Sequence, residues 1–594
     1  MKKRHIRWIY TVIIAILLIF YGIYMWIQIN PPLYLIKGYR EFFTDSYFFK
    51  DMVEFPGGFS EYIARLFIQF YNYPLIATLL IISCLMTIYF LNTITFKDKK
   101  FGWLISFIPV FILLYMHNDY SHSILFDINI LALCAALFIF STLEKYNRIL
   151  TFFYYTLILA ILLYLNGVLI AITFVVTTLL ISIPKKEKGG LLVGTFMVFI
   201  MFYIIFSLSF HDLNKEYENL ANIYSFRYLP LILYASVPTM SMVKMFLPIS
   251  PETVSRKTVI ISFLIIPAVL SLLFFTLNRE ERQSLQVQHY ARNENWKMTL
   301  QVARGCEFPD KNMVYYTNEA LYHTGRIYNE LFSYNQSFGS EGLLIAEIST
   351  FSEIVPNQEI FMQLGALSLS IVWGTEAVNV YGANPYVLRN LAKAYLAGGY
   401  IREAQKILNL LEHTLFQKDW VKKYRVIAND TTLIGSDPEL NRLRKAQTPI
   451  AVVSRQNTLM NLFLLSQKTN LNKMAYDYLT IGTLLDHEIE NFVFCASRMK
   501  EYGYEKIPKL YMEGLVYSSL FAPSLPVDIE EFIYDKTILL RFSDFRNDLS
   551  ILQRNPNGAK EILKSKYGDT YWYYLIFGSR FSDEERVNIL MKMI

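Results

Sequence analysis

The chain changes character at about residue 278, and this change limits the folds that it can adopt. Before residue 278, long apolar runs follow one another with short polar gaps, and from there to residue 594 the chain is polar and patterned as helices. A helix rises about 1.5 Å per residue, so about 20 apolar residues cross the core of a bilayer. The sequence therefore predicts an all-α protein with a transmembrane helix bundle at 1–278 and a soluble helical domain at 279–594.

The apolar runs predict about nine membrane spans. They lie at about 8–28, 73–95, 102–117, 123–142, 149–165, 167–184, 190–210, 229–247 and 258–277. Lysine and arginine gather in every second connection, which the positive-inside rule assigns to the cytoplasm. These basic groups are the N-terminal tail, Lys97/Lys99/Lys100, Lys145/Arg148, Lys185/Lys186/Lys188 and Arg256/Lys257. We therefore expect a multi-pass protein of the inner (plasma) membrane with a cytoplasmic N-terminus.

Whether the eighth apolar run crosses the membrane determines on which side of the membrane the second half of the chain lies. With an odd number of spans, residues 279–594 are extracytoplasmic, which in a bacterial envelope is periplasmic. The run at 229–247 contains Pro230, Pro238 and Lys244 and could instead re-enter the membrane. In that case the second half would be cytoplasmic.

Composition argues for lipid as a partner and against nucleic acid. The formal net charge is +6, but only 18% of the residues are charged and 54% are hydrophobic. Much of the excess basic charge lies in short connections between apolar runs, as the positive-inside rule requires. The four cysteines form no C-x-x-C or Cys/His spacing that would indicate a metal or redox site.

The second half contains a pair of amphipathic helices joined by a glycine turn. Residues 384–395 form the first helix and residues 401–408 the second, with Ala392 and Ala404 at positions where two helices pack closely. This unit resembles a tetratricopeptide repeat, and looser helix pairs follow at 456–482 and 486–520. The resemblance implies a tetratricopeptide-like α-solenoid, whose concave surface would take a protein or peptide partner.

Candidate chemistry lies in the predicted outer loops. The chain has no Walker loop, dinucleotide fingerprint, zinc helix or nucleophile elbow. The first outer loop, at 29–72, carries Asp45 and Asp51, followed by a Pro56-Gly57-Gly58 turn. The next outer loop carries Asp119. Carboxylates that meet can deprotonate an acceptor hydroxyl or hold a divalent cation, so a cation is a candidate cofactor.

Four basic side chains accompany these acids. His117 and His122 flank Asp119 and could transfer protons or contact phosphate, while Arg40 and Arg65 could hold a lipid phosphate. Each of these residues also has a purely structural interpretation. The acids could cap helices, the histidines could mark the water–lipid boundary, and arginines anchor helices at the membrane interface.

The acids and loops of the first half resemble the membrane glycosyltransferases of the C superfold. Members of that superfamily have a long first outer loop with an acidic residue, a second acidic residue in the next outer loop, and a soluble domain on the same side. The resemblance implies a polyprenyl-phosphate sugar donor and an extracytoplasmic acceptor, with Asp45 or Asp51 as the first acid and Asp119 as the second. The family often has adjacent acids in the first loop, whereas Asp45 and Asp51 are separated in sequence.

The chain as a whole resembles a group of bacterial membrane proteins of unknown activity. The likeness rests on the aromatic Pro-Gly-Gly loop, the tetratricopeptide-like second half and the cluster Thr570-Tyr571-Trp572-Tyr573-Tyr574. Two functions therefore stay open, a glycosyltransferase and a non-enzymatic scaffold whose solenoid binds an envelope or secretion partner. A transporter is a third, less favoured reading, because charges within spans mark ion paths and the spans carry few.

Overall fold

The computed structural model describes most of residues 3–593, and the chain forms two compact units, Met1–Asn278 and Arg279–Ile594. The residues outside the description are 1–2, 38–39, 96–101, 144–147, 183–187, 209–227, 247–270, 272, 346–350, 448–456, 468–471, 522–531, 553–558, 579 and 594. The described part is helical and has no β-strand, although Lys506 and Ile533 form an isolated bridge. The prediction of an all-α protein is confirmed.

The first unit consists of twelve described α-helices. They are α1 Lys3–Tyr24, α2 Pro32–Lys37, α3 Ser46–Val53, α4 Gly58–Gln69, α5 Pro74–Thr95, α6 Gly102–Ile105, α7 Ile108–Met116, α8 Leu125–Leu143, α9 Arg148–Asn166, α10 Val168–Ser182, α11 Lys188–Leu208 and α12 Leu229–Phe246. A π-helical turn, Met25–Ile29, extends α1, and a 3-10 turn, Phe70–Asn72, follows α4. Helix α8 packs against α5 and α9, and α10 packs against α9 and α12.

Four helical segments in the described part of this unit are long and apolar enough to cross a membrane. They are Val12–Ile29, Pro74–Thr95, Leu125–Leu143 and Ile149–Asn166. Shorter apolar helices occupy Gly102–Met116, Val168–Ser182, Gly190–Met201 and Leu229–Lys244. The predicted ninth span lies mostly outside the described residues, as do most of the basic connections that predict the orientation. The count of nine spans therefore stays a prediction.

Prolines affect two of the shorter segments differently. The third predicted span is divided into α6 and α7, and Pro109 lies in the first turn of α7, where its missing N–H is tolerated. The eighth predicted span forms one continuous helix, α12, although Pro238 lies inside it. At about 1.5 Å per residue, its 18 residues extend about 27 Å.

The second unit continues the helical architecture. Its helices are α13 Arg279–Arg292, α14 Trp296–Ala303, α15 Lys311–His323, α16 Ile327–Glu330, α17 Ile354–Gln363, α18 Leu367–Tyr381, α19 Pro385–Gly398, α20 Ile401–Glu412, α21 Lys418–Asn429, α22 Pro438–Ala446, α23 Thr458–Ser466, α24 Lys473–Leu485, α25 Ile489–Ser497, α26 Lys509–Ser518, α27 Thr537–Leu552, α28 Ala559–Tyr567, α29 Tyr571–Phe577 and α30 Asp583–Met593. From α17 to α21, and again from α23 to α26, each helix packs against the next one in sequence. Contact between sequential neighbours is typical of repeat proteins.

The helix pair that resembles a tetratricopeptide repeat has clear local signals at its ends. The side chain of Asn384 accepts a hydrogen bond from Tyr386 N, and Pro385 opens α19 at its first position. Gly399 ends α19 with φ +83°, a conformation that favours glycine. Ala392 and Ala404 are completely buried, as small residues between closely packed helices should be.

Distant parts of the second unit also share one core. The ring of Phe332 stacks on Tyr574 with centroids 4.8 Å apart, and Arg580 forms an ion pair with Asp486 at 2.7 Å. One cluster of buried side chains includes Val287 near its start and Met593 near its end. The C-terminal helices therefore pack back onto the earlier ones, beyond the nearest-neighbour contacts of a simple solenoid.

Candidate functional site

Asp127 is the centre of a buried polar cluster in the first unit. It lies in the first turn of the apolar helix α8, and its carboxylate oxygens Oδ1 and Oδ2 lie 3.0 Å and 2.9 Å from Nε2 of His117 and His122. The three side chains are at most 1% exposed. The positive end of the α8 dipole favours a negative charge at this position. We refer to His117, His122 and Asp127 as the His–Asp–His cluster.

The carboxylate determines which histidine nitrogens carry hydrogen. An ionised carboxylate only accepts hydrogen bonds, so both Nε2 atoms must donate to Asp127. Neutral His117 and His122 then have bare lone pairs on Nδ1. Both Nδ1 atoms are buried and have no hydrogen-bond partner among the described residues. The cluster therefore holds two oriented imidazoles, each with its Nδ1 nitrogen able to accept a proton.

Tyrosine hydroxyls hold the segment that carries the histidines. Tyr34 donates a hydrogen bond to the carbonyl of His117, and Tyr120 donates to the carbonyl of Ile29 at 2.8 Å. Tyr21 donates to the carbonyl of Leu114 at 2.8 Å, just before the end of α7. These bonds connect the histidine loop to α1 and to the beginning of the first outer loop.

Asp119, a predicted catalytic acid, shapes the loop between the two histidines. Its carboxylate accepts a hydrogen bond from Ser121 N at 2.8 Å, and its carbonyl accepts one from His122 N at 3.0 Å. An aspartate that bonds the backbone two residues ahead stabilises a tight turn. This turn brings His122 back to within 4.3 Å of His117, measured between ring centroids.

Asp45 and Asp51, the other predicted catalytic acids, lie at the two ends of α3. Asp45 is the N-cap of α3 and accepts a hydrogen bond from Phe48 N at 2.9 Å. Asp51 is exposed near the C-terminal end of the same helix. Among the described residues, neither aspartate has a hydrogen bond or ion pair with Asp119 or with the His–Asp–His cluster.

Arg40 and Arg65, predicted to bind phosphate, meet at Glu61 in α4. Arg40 Nη1 and Arg65 Nε lie 2.6 Å and 2.9 Å from Glu61 Oε1, and Arg65 also lies 3.6 Å from Glu41. Burial opposes ionisation of Glu61, but the two guanidinium groups outweigh it and hold its pKa below the ordinary value. Both arginines are thus paired with carboxylates in this structure.

Three predicted outer connections meet at one end of the helix bundle. Gly57 N, in the first outer loop, donates to the carbonyl of Tyr164 at 2.9 Å, and its backbone lies against Gly167 in the turn between α9 and α10. Ser60 Oγ accepts a hydrogen bond from the Asn166 amide at 2.6 Å, and the same amide donates to Asn129 in α8 at 3.1 Å. The first outer loop therefore packs at the end of α8 where the His–Asp–His cluster lies.

The His–Asp–His cluster is also where the described residues could hold a metal ion. One potential ligand atom from each of His117, His122 and Asp127 lies within 4.8 Å of the others. Sequence reasoning selected the two histidines but missed Asp127. The available signal was an ionisable residue inside the apolar run at 123–142, because such residues are costly in a membrane and usually functional.

The fold and the site define an all-helical protein with several apolar helices around a buried His–Asp–His cluster. The chain belongs to DUF6057, a family of unknown function, whose family model matches residues 4–578. No curated protein and no solved structure matches the chain. The family thus covers both units, and the functional argument rests on the site itself.

Proposed function

We propose that this protein is a polytopic membrane enzyme that transfers a sugar from a polyprenyl-phosphate donor to a hydroxyl group of an extracytoplasmic acceptor. The observation that carries the proposal is the position of Asp127, fully buried in an apolar helix with both carboxylate oxygens bonded to buried histidines. Burying a carboxylate is costly, and ionisable residues inside apolar membrane helices are usually functional. The His–Asp–His cluster, rather than Asp45 or Asp51, is the proposed catalytic centre.

The chemistry of the cluster suits proton abstraction from a hydroxyl group. Asp127 orients the imidazoles and stabilises the positive charge that forms when Nδ1 of His117 or His122 accepts the acceptor proton. The acceptor oxygen then bonds to the sugar carbon, the bond from that carbon to the phosphate oxygen breaks, and polyprenyl phosphate leaves. Asp119 acts as a positioning residue through the turn that it stabilises.

The loop arrangement supports a lipid-linked donor. The first outer loop carries Arg40 and Arg65 and packs at the same end of α8 as the cluster. An arginine has five N–H donors and suits phosphate recognition. Glu61 and Glu41 pair with these arginines, so the donor phosphate would have to displace the two carboxylates from the guanidinium groups. Such an exchange would restrict phosphate binding to substrates that also fit the loop.

The proposed topology follows the basic connections and the count of nine spans. The N-terminus would lie in the cytoplasm, and the cluster, the first outer loop and the second unit on the extracytoplasmic side of the plasma membrane. The meeting of the 29–72 loop, the histidine loop and the Asn166-Gly167 turn supports the grouping of these connections on one face. The variants Glu54→Cys and Glu490→Cys should therefore react in intact cells with a thiol reagent that does not cross the membrane.

The test uses washed membranes that contain the full-length protein and its own acceptor. A tritiated polyprenyl-phosphate hexose is added, and label that moves from the lipid to the acceptor is measured. Asp127→Asn should lower the transfer rate by about 10²- to 10⁴-fold, the usual contribution of acid–base catalysis. The matched control is Glu54→Gln, an exposed carboxylate in the same unit. Transfer by Asp127→Asn at the wild-type rate, or none by wild type, would refute the proposal.

A non-enzymatic scaffold is the second candidate. The observation that favours it is the exposure of large apolar side chains around the tetratricopeptide-like helix pair, among them Val372, Tyr400, Phe416 and Val426. Large exposed apolar patches often mark protein interaction sites. Crosslinking in cells should then recover one stoichiometric protein partner equally from wild type and from Asp127→Asn, and a Tyr400→Asp and Val426→Asp pair should lose it.

A further inference from the structure

Two observations about the His–Asp–His cluster point beyond an acid–base role. The first is that three groups of the right ligand chemistry converge at one buried place, with ligand atoms within 4.8 Å of one another. The second is that both histidines turn Nε2 toward the same carboxylate, with Nε2 of His117 and His122 at 3.0 Å and 2.9 Å from Oδ1 and Oδ2 of Asp127. An ion among these atoms would take the place of the two hydrogens between them, because an imidazole nitrogen binds a metal ion only without its proton.

We infer that His117, His122 and Asp127 bind one divalent first-row transition-metal ion of the Zn²⁺ class. This inference deepens the proposed function, on which it rests for the role of the ion but not for its binding. Two imidazoles and one carboxylate form a ligand set typical of such ions, whereas Mg²⁺ and Ca²⁺ prefer oxygen ligands alone. The described residues around the cluster supply no lysine or arginine contact to Asp127, so a cation would also neutralise its buried charge.

The distances in the cluster are compatible with one ion. Zinc lies about 2.0 to 2.2 Å from nitrogen and oxygen ligands. Adjacent ligands around one ion are then roughly 3 to 3.5 Å apart, and the contacts from Asp127 to the two histidines are 3.0 Å and 2.9 Å. With the ion on Nε2 of each ring, each Nδ1 carries the hydrogen.

Three protein ligands leave at least one coordination position open. Structural zinc sites usually have four protein ligands, whereas catalytic sites keep a position for water or substrate. A hydroxyl group bound at the open position loses its proton more easily, because the ion stabilises the resulting oxyanion. In the metal-bound protein both imidazoles would be ligands, so the ion would replace Nδ1 in activating the acceptor hydroxyl, and the hydroxyl proton would pass to water.

The test measures metal binding without any activity assay. The full-length protein is purified in detergent without a histidine tag, stripped with a chelator, and titrated with Co²⁺, whose visible absorption reports nitrogen coordination. Zn²⁺ is then added to displace it, and bound zinc per chain is measured by elemental analysis. We expect one ion per chain, and at least a 100-fold weaker affinity in His117→Ala and in Asp127→Asn.

Controls separate metal binding from misfolding and from the proposed function. His413→Ala removes an exposed histidine of the second unit and should leave binding unchanged. His122→Gln keeps a polar side chain of similar size, and it should elute as wild type in size exclusion yet lose the Co²⁺ absorption. Wild type that binds no ion, or variants that bind as well as wild type, would overturn the inference. Sugar transfer by chelated protein would overturn the role of the ion alone, and metal binding without transfer would overturn the proposed function alone.

Discussion

The side-chain amide of Asn166 donates to Ser60 Oγ at 2.6 Å and thereby joins the first outer loop to the turn between α9 and α10. The Ser60 hydroxyl in turn donates a hydrogen bond to the carbonyl of Leu165, next to Asn166, at 2.9 Å. The same amide reaches Asn129 in α8, two residues beyond Asp127. These hydrogen bonds therefore hold the first outer loop against the part of α8 that carries Asp127.

Removing the Asn166 amide should loosen the first outer loop. Asn166→Ala leaves Ser60 and Asn129 without this donor, and we expect a loss of about 1 to 2 kcal/mol of stability. The measurement is the apparent melting temperature of the purified protein, together with proteolysis of the 29–72 loop. Asn293→Ala is the control, because Asn293 is exposed just after α13 and its amide bonds the nearby carbonyl of His289. Equal melting temperatures for the two variants would contradict the network.

Gly58 should be intolerant of any side chain. A Cβ atom at this position would lie 1.6 Å from the carbonyl oxygen of Met52, so α3 and α4 could not keep their packing. We expect Gly58→Ala to destabilise the protein by at least about 2 kcal/mol, in the range of substitutions that force a backbone shift. Gly435→Ala is the matched control, since a Cβ there would meet no atom within 4 Å. Thermal unfolding of both variants checks the prediction, and unchanged stability of Gly58→Ala would rule out this packing.

Asp45 should behave as a helix cap. Asp45→Ala removes the acceptor for Phe48 N and should cost about 1 kcal/mol, while Asp45→Asn should preserve stability because asparagine caps equally well. Asp51→Ala, at an exposed position, should change stability by less than about 0.5 kcal/mol. Melting temperatures of the three variants decide the matter. If Asp45→Asn melts normally but loses sugar transfer, Asp45 has the catalytic role that the glycosyltransferase resemblance implies.

Glu513 should make the stability of the second unit depend on pH. Burial raises its pKa to about 7, against the opposing effects of Lys509 and the Tyr571 N–H. Because the folded state binds the proton more tightly than the unfolded state, this contribution is fully present below about pH 4.5 and is lost as the pH rises through 7. The shift corresponds to at most about 3 kcal/mol.

Glu513→Gln tests this dependence, since an amide mimics the protonated acid. The variant should melt at a higher temperature than wild type at pH 8, and the difference should shrink at pH 5. Asp569, whose pKa is lowered to about 2 chiefly by Arg541 and Lys509 against its burial, titrates below this window and should not interfere. A wild-type melting temperature that is equal at pH 5 and pH 8 would contradict the assignment.

Local patterns predicted the helices and turns well. The apolar runs that the structure describes form helices, and the helix pair at 385–412 begins at Asn384 and turns at Gly399. Caps and glycine turns depend on neighbouring residues only. The site was harder to predict. His117 and His122 were selected for their nearness to Asp119, yet their carboxylate partner is Asp127, which a sequence pattern marks only as one acid in an apolar run.

The sequence by itself predicted that this chain is helical and that its first half consists of apolar segments suited to a membrane. Both properties depend on local hydropathy and on backbone hydrogen bonds made within a helix. Only the tertiary structure decided which side chains meet: Asp127 with His117, Glu61 with Arg40, and Phe332 with Tyr574. Those contacts depend on how loops fold back and how helices pack, and hydropathy does not specify which side chain faces which.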